Sequence, residues 1–353
     1  MKKNSRLTIG CDLGDRNSEI CVLDEAGEVV SRQRFATTAK RFAQVLSPMA
    51  GNLVVIEVGT HSPWVSRLLA SLSLEVLVAN PRQVALIYRN VRKSDRTDAE
   101  NLARLARVDP SLLRPIQHRS EDMQRVRITL GARTQLVKTR AQLVTSVRGL
   151  VKSYSGKRLQ GCSTAAFATQ AAAQLAGPLS DLLAPMLEAI STVTAQIKAL
   201  DRQVKSVCAA HQEEVTRLTQ VPGVGALTAV SYIATLDDPT RFKRSRDVGA
   251  YLGMVPKRDQ SGSVDRQLGI TKCGDPQMRR LLVQCAHVLL GPFGGDCDLR
   301  HWGLKLAGRG GRGAKKKAIV AVARRLAVLM HRLWLSGEAF VPRGYSHKTA
   351  LAA

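Results

Sequence analysis

The sequence predicts a mixed α/β domain at the N-terminus and a mostly helical remainder. In the first 110 residues, short apolar runs alternate with tight turns and with segments of helical period. From residue 111 onward, apolar residues recur at helical spacing over much longer segments, which basic or Gly-rich stretches separate. The chain therefore has a sheet-forming part and a helix-forming part.

The order of the N-terminal elements predicts the type of sheet. Strands are expected at residues 6–14, 18–23, 28–35, 52–58 and 75–79. Helices are expected at residues 38–46, 61–72 and 95–108. Three strands in a meander, followed by alternating helix and strand, are typical of an RNase H-like sheet.

The helical remainder contains two long predicted helices. Residues 121–154 form the first, and an Ala-rich stretch that ends at residue 176 predicts a short helix after it. Residues 181–211 then carry the clearest heptad pattern in the chain, at Met186, Ile190, Val193, Ile197, Leu200, Val204 and Val207. Such a seam pairs either with the preceding long helix or with a second chain, and we favour a dimerising element.

The charge of the chain indicates a polyanionic partner. Its 353 residues include 53 Lys and Arg against 28 Asp and Glu, a formal net charge of +25 at pH 7. Nucleic acid is the default partner of so basic a protein, and a membrane surface is the competing one. No apolar run reaches the roughly 18 residues of a membrane-spanning helix, and the first residues lead into a strand rather than a signal sequence. We therefore expect a soluble, cytoplasmic protein that binds nucleic acid.

Other compositional features argue against several kinds of site. Aromatic residues make up only 4% of the chain, which argues against an aromatic base-stacking platform as the main mode of binding. The seven cysteines are an odd number without C-x-x-C spacing, and the seven histidines are scattered. Neither a zinc site nor a disulfide framework is indicated, so buried or inert thiols are expected.

Four carboxylates occur where the predicted sheet would bring them together. Asp12 ends the first strand, Glu57 interrupts the apolar run VVIEVG, and Asp95 and Asp98 lie three residues apart at a helix start. Converging carboxylates repel one another unless a divalent cation such as Mg²⁺ neutralises them. Asp95 and Asp98 could instead be ordinary acids of a first helical turn, and Asp12 could belong to the phosphate loop of an actin-like ATPase. The four together favour metal-dependent phosphoryl chemistry.

A second candidate site lies in the stretch 251–282. Ser261 and Gly262 are flanked by basic residues in a segment without helical period, where a hydroxyl could attack a phosphodiester. An ordinary Ser-Gly turn is the alternative. Upstream, residues 218–230 have the pattern of a helix-hairpin-helix, in which Gly223 and Gly225 would let backbone amides approach a phosphate. A tight turn without a ligand is the alternative there.

Basic side chains expected to contact phosphates occur on the first long helix, around Ser261 and in the predicted flexible cationic loop 308–317. They are Arg125, Arg133, Arg140, Arg148, Lys257, Arg258, Lys272, Arg279, Arg280, Arg309, Arg312, Lys315 and Lys316. A solvated helix face without a ligand is the alternative for those on the long helix.

Over nearly its whole length, the chain resembles the insertion-sequence transposases of the "IS one-ten" type, relatives of the Piv/MooV DNA invertases. The resemblance rests on GCDLG, VVIEVGT, KSDRTDAENLA, VPGVGALTA, YLGMVPKRDQSG, GITKCGDPQMRRLL and KKKAIVAVARRLA, in this order. It implies a RuvC-like domain whose DEDD tetrad is Asp12, Glu57, Asp95 and Asp98, followed by a transposase domain with a nucleophilic serine. That serine falls on Ser261, and Ser263 in the same QSGS run is the alternative.

The resemblance also implies a mechanism and partners. Ser261 would attack the scissile phosphate of double-stranded DNA and form a transient phosphoserine, which the tetrad and Mg²⁺ (or Mn²⁺) would assist. A structured bridge RNA would pair with donor and target DNA, so that the protein need only bind backbone and shape. The serine of one protomer would meet the tetrad of another in a dimer or tetramer, and the active protein would associate with the nucleoid.

This interpretation divides the chain into a catalytic domain at residues 1–110, a nucleic-acid-binding and dimerising segment at 111–213, a transposase domain at 214–340 and a poorly ordered tail at 341–353. Two other functions stay open. A metal-dependent junction-resolving nuclease would use the tetrad to activate water and would form no covalent adduct with DNA. A non-catalytic nucleic-acid-binding protein would process no DNA, or none that depends on Mg²⁺.

Overall fold

The computed structural model describes residues 6–80, 95–262 and 264–343. The chain divides into two compact units, residues 1–118 and 119–353. From residue 119 onward, the predicted middle segment and the predicted C-terminal domain therefore share one unit. Most of the predicted tail, residues 344–353, lies outside the described residues.

The first unit is built on a five-stranded sheet with the strand order β3-β2-β1-β4-β5. Its strands are β1 (Thr8–Leu13), β2 (Asn17–Leu23), β3 (Val29–Ala36), β4 (Leu53–Glu57) and β5 (Glu75–Ala79). The first three pair as an antiparallel meander, and β4 and β5 run parallel to β1. This is the predicted mixed sheet of RNase H-like order, so the predicted α/β class of the N-terminal part is confirmed.

Helices cover both faces of this sheet. They are α1 (Ala39–Leu46), α2 (Ser62–Ser71) and α3 (Asp95–Val108), with short 3-10 helices at Ser47–Met49 and Pro110–Leu113. Phe42 of α1 and Leu69 of α2 pack with Ile56 on one face, whereas Leu102 of α3 packs with Val55 on the other. Because β4 is buried on both faces, its sequence is an almost unbroken apolar run.

The second unit is mostly helical, as predicted. Its helices are α4 (Glu121–Ser155), α5 (Phe167–Ala172), α6 (Pro178–Ala210), α7 (Gln212–Thr219), α8 (Ala226–Leu236), α9 (Asp247–Tyr251), α10 (Pro276–Leu290), α11 (Asp298–Ala307) and α12 (Ala314–Ser336). A 3-10 turn at Pro239–Arg241 and a hairpin of strands β6 (Pro256–Ser261) and β7 (Val264–Ile270) complete it. None of the helices in the described part of the chain is both long and apolar enough to cross a membrane.

Helix α8 lies at the centre of the second unit. It is apolar all round its circumference, the pattern of a fully buried helix, and every residue from Thr228 to Leu236 is buried. The hydroxyl of Tyr232 donates a hydrogen bond of 2.6 Å to the carbonyl of Ala327 in α12, which satisfies the polar end of a buried ring. Helices α4, α7, α10 and α12 pack around this core.

The two long helices α4 and α6 form an antiparallel pair within one chain. Arg133 of α4 contacts Asp201 of α6. Two helical turns further along α4, Arg140 contacts Thr194, which precedes Asp201 on α6. Three residues of the predicted heptad seam, namely Ile190, Ile197 and Val204, are buried, whereas Met186, Val193, Leu200 and Val207 are only partly buried. The seam thus packs within the chain, on α4, on α5 and on the core around α8, and its dimerising role stays a prediction.

Two segments differ from the sequence-based expectation. Ser261 was expected in a loop, but it ends β6 of an exposed hairpin, whose strands carry no alternation of apolar and polar residues. The flexible loop expected at residues 308–317 ends at Gly313, because Ala314 begins α12. Lys315 and Lys316 therefore lie on the first helical turn, and no Ser, Thr, Asp or Asn precedes that turn to mark the helix start.

Candidate active site

The ends of two central strands bring Asp12 and Glu57 side by side. Strands β1 and β4 are parallel neighbours in which Cys11 pairs with Ile56, so the next residue on each strand lies at the same level. Val55, two residues before Glu57, faces α3. Because side chains alternate along a strand, Asp12 and Glu57 also face the side of the sheet that α3 covers. Both side chains are half-buried.

Helix α3 runs antiparallel to β1 and lies directly on it. A Cβ at Gly10 would lie 1.9 Å from the carbonyl oxygen of Ala99, so only glycine allows this approach. Near the other end of α3, Arg104 and Arg107 donate to the carbonyls of the β2–β3 turn at residues 25 and 27, beside the start of β1. The N-terminal turn of α3 therefore lies at the end of the sheet where β1 and β4 finish.

This geometry brings the four predicted carboxylate positions to one end of the sheet. Asp98 precedes Leu102 by one helical turn, and Leu102 packs on the sheet, so Asp98 extends the sheet-facing stripe of α3 toward Asp12 and Glu57. Asp95 begins the helix, and its side chain lies outside the described atoms.

The donor chemistry of this edge fits a hard cation. Carboxylate oxygens are the ligands that Mg²⁺ and Mn²⁺ prefer. The pKa of the neighbouring Cys11 is raised by burial and by the charge of Asp12, and its side chain packs in the core on the opposite face of the sheet. Among the side chains that the structure describes, no three Asp, Glu, His or Cys residues are grouped closely enough to hold a metal ion.

Ser261 lies at the tip of the β6–β7 hairpin. It pairs with Val264, so a two-residue connection that begins with Gly262 closes the hairpin directly after the serine. All residues of β6 are exposed, and Val264 and Leu268 of β7 are exposed as well. Across the strands, the guanidinium of Arg258 donates two bonds, of 3.0 and 2.8 Å, to the carboxylate of Asp265. Ser261 is thus presented to solvent on a basic two-stranded arm.

The base of this arm is held by a partly buried ion pair that sequence analysis missed. Asp275 caps the N-terminus of α10 by accepting a bond of 2.7 Å from the amide of Met278. Its other oxygen accepts a bond of 2.6 Å from Arg127 of α4. Burial opposes ionisation of Asp275, but these two partners outweigh it and lower its pKa. The Asp-Pro pair before α10 was a visible capping signal, whereas no sequence pattern singled out Arg127.

A second arginine, Arg119, holds the segment that leads into the first strand of the hairpin, β6. Arg119 donates to the carbonyl of Thr235 in α8 at 2.6 Å and to the hydroxyl of Tyr251 at 2.7 Å. On the far side, Arg279 donates to the carbonyls of Leu252 and Gly274. Both legs of the arm are therefore tied to the helical core, and Arg279, predicted to contact nucleic acid, is used within the fold.

Several other predicted phosphate contacts are also engaged within the chain. Arg133 forms an ion pair of 2.5 Å with Asp201, Arg140 reaches Thr194 at 3.5 Å, and Arg148 lies 5.2 Å from the ring centre of Phe167. Arg133 and Arg140 thus pair with α6, and Arg148 packs on α5. Spacing along α4 alone does not distinguish such contacts from phosphate binding.

The two glycines of the helix-hairpin-helix turn have different surroundings. A Cβ at Gly223 would lie 2.8 Å from the carbonyl oxygen of Cys285, so Gly223 allows α10 to pack closely, as in a turn without a ligand. Gly225 is exposed at the N-cap of α8, and a Cβ there would meet nothing within 4 Å. Only Gly225 leaves room for a phosphate.

The remaining predicted phosphate contacts are exposed to solvent. They are Arg125, Lys257, Lys272, Arg280, Arg309, Arg312, Lys315 and Lys316. Arg125 pairs with Glu121 and Asp122 on its own helix. Lys315 and Lys316 lie in the first turn of α12, which contains no acidic residue. Cations are unfavourable at the positive end of a helix dipole, and a bound phosphate would offset that cost.

Comparison with known proteins gives matches along most of the chain. Residues 9–155 match the family model of a DEDD transposase described as "Transposase", and residues 215–293 match the model described as "Transposase IS116/IS110/IS902 family". The first match includes all four carboxylates of the sheet edge, and the second includes Ser261 and Asp275.

Individual relatives cover most of the chain. The transposase for insertion sequence element IS1111A of Coxiella burnetii is 28% identical over 94% of this chain and 90% of its own length. The transposase for IS1328 of Yersinia enterocolitica is 28% identical over 80% of this chain and 83% of its own length. The putative transposase y4pF/y4sB of Sinorhizobium fredii is 32% identical over 80% of this chain and 72% of its own length. The chain therefore belongs to the IS110 family of insertion-sequence transposases.

Proposed function

We propose that this transposase exchanges strands between a donor and a target DNA duplex through a covalent phosphoserine on Ser261. The sheet-edge carboxylates assist that chemistry, and a non-coding bridge RNA guides it. The observation that carries the proposal is the position of Asp12 and Glu57 directly after the paired residues Cys11 and Ile56 of two parallel strands, at the end where α3 begins. Carboxylate oxygens are the ligands that Mg²⁺ prefers.

The carboxylate edge supports metal-assisted phosphoryl transfer. Asp12, Glu57, Asp95 and Asp98 would hold Mg²⁺ or Mn²⁺, which would supply charge stabilisation at the phosphoryl oxygens. Asp12 and Glu57 are fixed by the hydrogen-bonded ladders of β1 and β4, and Asp98 by the packing of α3. Their backbone positions are thus fixed, and the side-chain oxygens would draw together around a bound ion, since no three such groups of the described residues already lie close enough to hold one.

The hairpin supports a nucleophilic role for Ser261. Its hydroxyl oxygen would bond to phosphorus while the bond from phosphorus to one sugar oxygen breaks. The serine proton would pass, through a base or water at the site, to the released sugar oxygen, which becomes a hydroxyl. A hydroxyl of the partner duplex would then attack the phosphoserine and release the serine, so no water is consumed. Strand β6 is exposed throughout, so Ser261 is accessible, and in a dimer or tetramer it would act with the carboxylates of a second protomer.

Guidance by RNA accords with the distribution of charge. The exposed cations near the start of α12 and around the hairpin are suited to phosphate backbones, which carry no sequence information. With a net charge of +25, the protein can hold two duplexes and a structured RNA through such contacts. Sequence recognition would then come from base pairing with the RNA.

Trapping of the covalent intermediate tests the proposal. Purified protein is incubated with its element-end RNA, labelled donor and target DNA and Mg²⁺, and a denaturing gel shows whether labelled DNA migrates with the protein. Ser261→Ala and Asp12→Ala are expected to lose the adduct, whereas Ser263→Ala is the matched control and is expected to retain it. Omitting the RNA is expected to abolish adduct formation at the programmed site.

Other results would assign a different chemistry. Cleavage without an adduct, unchanged in Ser261→Ala, would indicate a junction-resolving nuclease that activates water. An adduct that persists in Ser261→Ala but not in Ser263→Ala would move the nucleophile to Ser263. Binding without processing in any condition would indicate a nucleic-acid-binding protein without catalysis.

A further inference from the structure

One aromatic side chain is held in solvent by the loop between α10 and α11. The side chain of Phe293 is 94% exposed, more than any other large apolar side chain in the described ranges. Single exposed apolar residues are common on protein surfaces, so exposure alone indicates nothing. Phe293 differs from other exposed apolar residues because hydrogen bonds and close packing fix the backbone of its loop.

The loop at residues 291–295 is braced from both sides. Arg300 donates to the carbonyls of Gly294 and Gly291, at 2.9 and 3.1 Å, and the amide of Gly294 donates to the carbonyl of Gly291 at 3.2 Å. A Cβ at Gly294 would lie 1.9 Å from the carbonyl oxygen of Leu289, so the loop is pressed against the end of α10. Phe293 is therefore held outward by a fixed backbone.

The surface next to Phe293 is suited to a phosphate backbone. A Cβ at Gly295 would lie 3.0 Å from the ring of Pro222, which places the loop against the helix-hairpin-helix turn and near the exposed Gly225. On α10, which contains no acidic residue, Arg280 and His287 are exposed two helical turns apart, and His287 lies in the last turn before the loop. The partner expected at such a surface is a polyanion with apolar faces.

We propose that Phe293 is a wedge that stacks on a base pair of duplex DNA and unstacks the adjoining step, an inference that rests on the proposed function. Phenylalanine serves this purpose in proteins that kink DNA, because its ring replaces the base it displaces. Duplex DNA is favoured over a protein partner, because the loop packs on the helix-hairpin-helix turn, whose Gly225 leaves room for a phosphate. The one exposed acid of the loop, Asp296, is paired with Arg343. A braced loop suits the role, since the ring must not fold back when it meets the stacked bases.

A fluorescent base reports this step directly. Full-length protein is titrated into an element-end duplex that carries 2-aminopurine, whose fluorescence rises when it is unstacked. Phe293→Ala is expected to lose the fluorescence rise and to bind about tenfold more weakly, the usual effect of losing one aromatic stack. Phe293→Trp is expected to retain both. Val108→Ala, which removes a comparably exposed apolar side chain at the end of α3, is the matched control and is expected to behave as the parent protein.

Each contrary result overturns the proposal in its own way. An unchanged fluorescence rise in Phe293→Ala would show that the ring does not unstack DNA. A change in oligomeric state by light scattering, without a change in DNA binding, would assign Phe293 to a protein interface. Weaker binding of the element-end RNA alone would assign it to RNA. If no serine adduct forms with any protein but the fluorescence difference persists, the proposed function fails and the wedge stands.

Discussion

The two halves of the proposed chemistry are supported in opposite ways. Asp12 and Glu57 end strands that lie in the middle of a five-stranded sheet and are buried on both faces. Ser261 ends a strand of a two-stranded hairpin that is exposed on both faces and is tied down only at its base. The carboxylates are thus fixed by a sheet and a helix, whereas the serine lies at the tip of an exposed hairpin.

This difference follows from what each group must do. Carboxylates that share a cation must keep fixed distances, and only a buried ladder prevents their mutual repulsion from separating them. A nucleophile must reach a phosphate inside a large assembly and leave it again, which a hairpin allows because two strands alone are marginally stable in water. The sheet edge should therefore tolerate a change of charge without unfolding, and the hairpin should depend on its anchors.

Replacement of Glu57 by Gln should produce the largest effect on activity. The change keeps shape and removes one charge from the carboxylate edge, so formation of the serine adduct should slow by about 1000-fold, or about 4 kcal/mol. Stability should change little, because β4 and its neighbours keep their packing. Single-turnover assays and urea unfolding measure the two quantities. Glu75→Gln, at the exposed start of β5, is the control; equal losses in both variants would contradict a special role for Glu57.

Replacement of Asp275 by Ala should have the next largest effect, at the hairpin base. It removes the cap of α10 and leaves Arg127, whose side chain is 32% exposed, without its carboxylate. Breaking such a pair from one side should lower the free energy of unfolding by about 3 kcal/mol, as urea denaturation would show. Asp122→Ala removes a carboxylate that is 82% exposed and should change stability by less than about 0.5 kcal/mol.

The same ion pair predicts a pH dependence. The pKa of Asp275 is lowered in the folded protein, so the unfolded chain binds its proton more readily. The contribution of ionised Asp275 to the free energy of unfolding is therefore complete above the pKa of an ordinary Asp, near 3.9. It is lost as the pH falls through the lower pKa of Asp275 in the folded protein. The difference in free energy of unfolding between the parent protein and Asp275→Ala should therefore become smaller as the pH is lowered below about 4.

The sheet could be predicted from the sequence almost residue by residue, because its signals are local. Apolar runs bounded by turns define β1 to β5, and a glutamate inside such a run identifies Glu57. The predicted helix at residues 95–108 agrees with α3 in both bounds. The placement of Asp12, Glu57 and Asp98 at one end of the sheet depends on the direction in which α3 crosses it, which the predicted fold type supplied, and their use as one metal site stays a prediction.

The hairpin and its anchors could not be predicted in the same way. Among the described side chains of β6 and β7 none is fully buried, and neither strand shows the alternation of apolar and polar residues that reveals a strand. The contact of Arg127 with Asp275 joins residues 148 positions apart, and Arg119 reaches Tyr251 over 132 positions. Arg133, Arg140 and Arg148 were expected on a phosphate-binding face for a related reason, since their partners lie on another helix.

Two glycines test the contrast between sheet and arm with the same chemical change. Gly10→Ala would place a methyl group 1.9 Å from the carbonyl oxygen of Ala99, so α3 must move away from β1. Overpacking against a backbone should cost about 3 kcal/mol of stability, and the displacement of α3 should also slow adduct formation, by less than Glu57→Gln does. A midpoint of urea unfolding equal to that of the parent protein would show that α3 does not depend on this contact.

Gly262→Ala should have the smallest effect, and it should act on the arm alone. Gly262 has φ +55, but a Cβ there would meet nothing within 4 Å, so the cost is the left-handed backbone conformation and not a clash. That cost is about 1 kcal/mol, and most of it should appear as fraying of the hairpin, because the arm contributes little to the core. Amide exchange in β6 and β7 should therefore accelerate about fivefold while the helices exchange as before. Faster exchange throughout the second unit would show instead that the hairpin and the helical core unfold together.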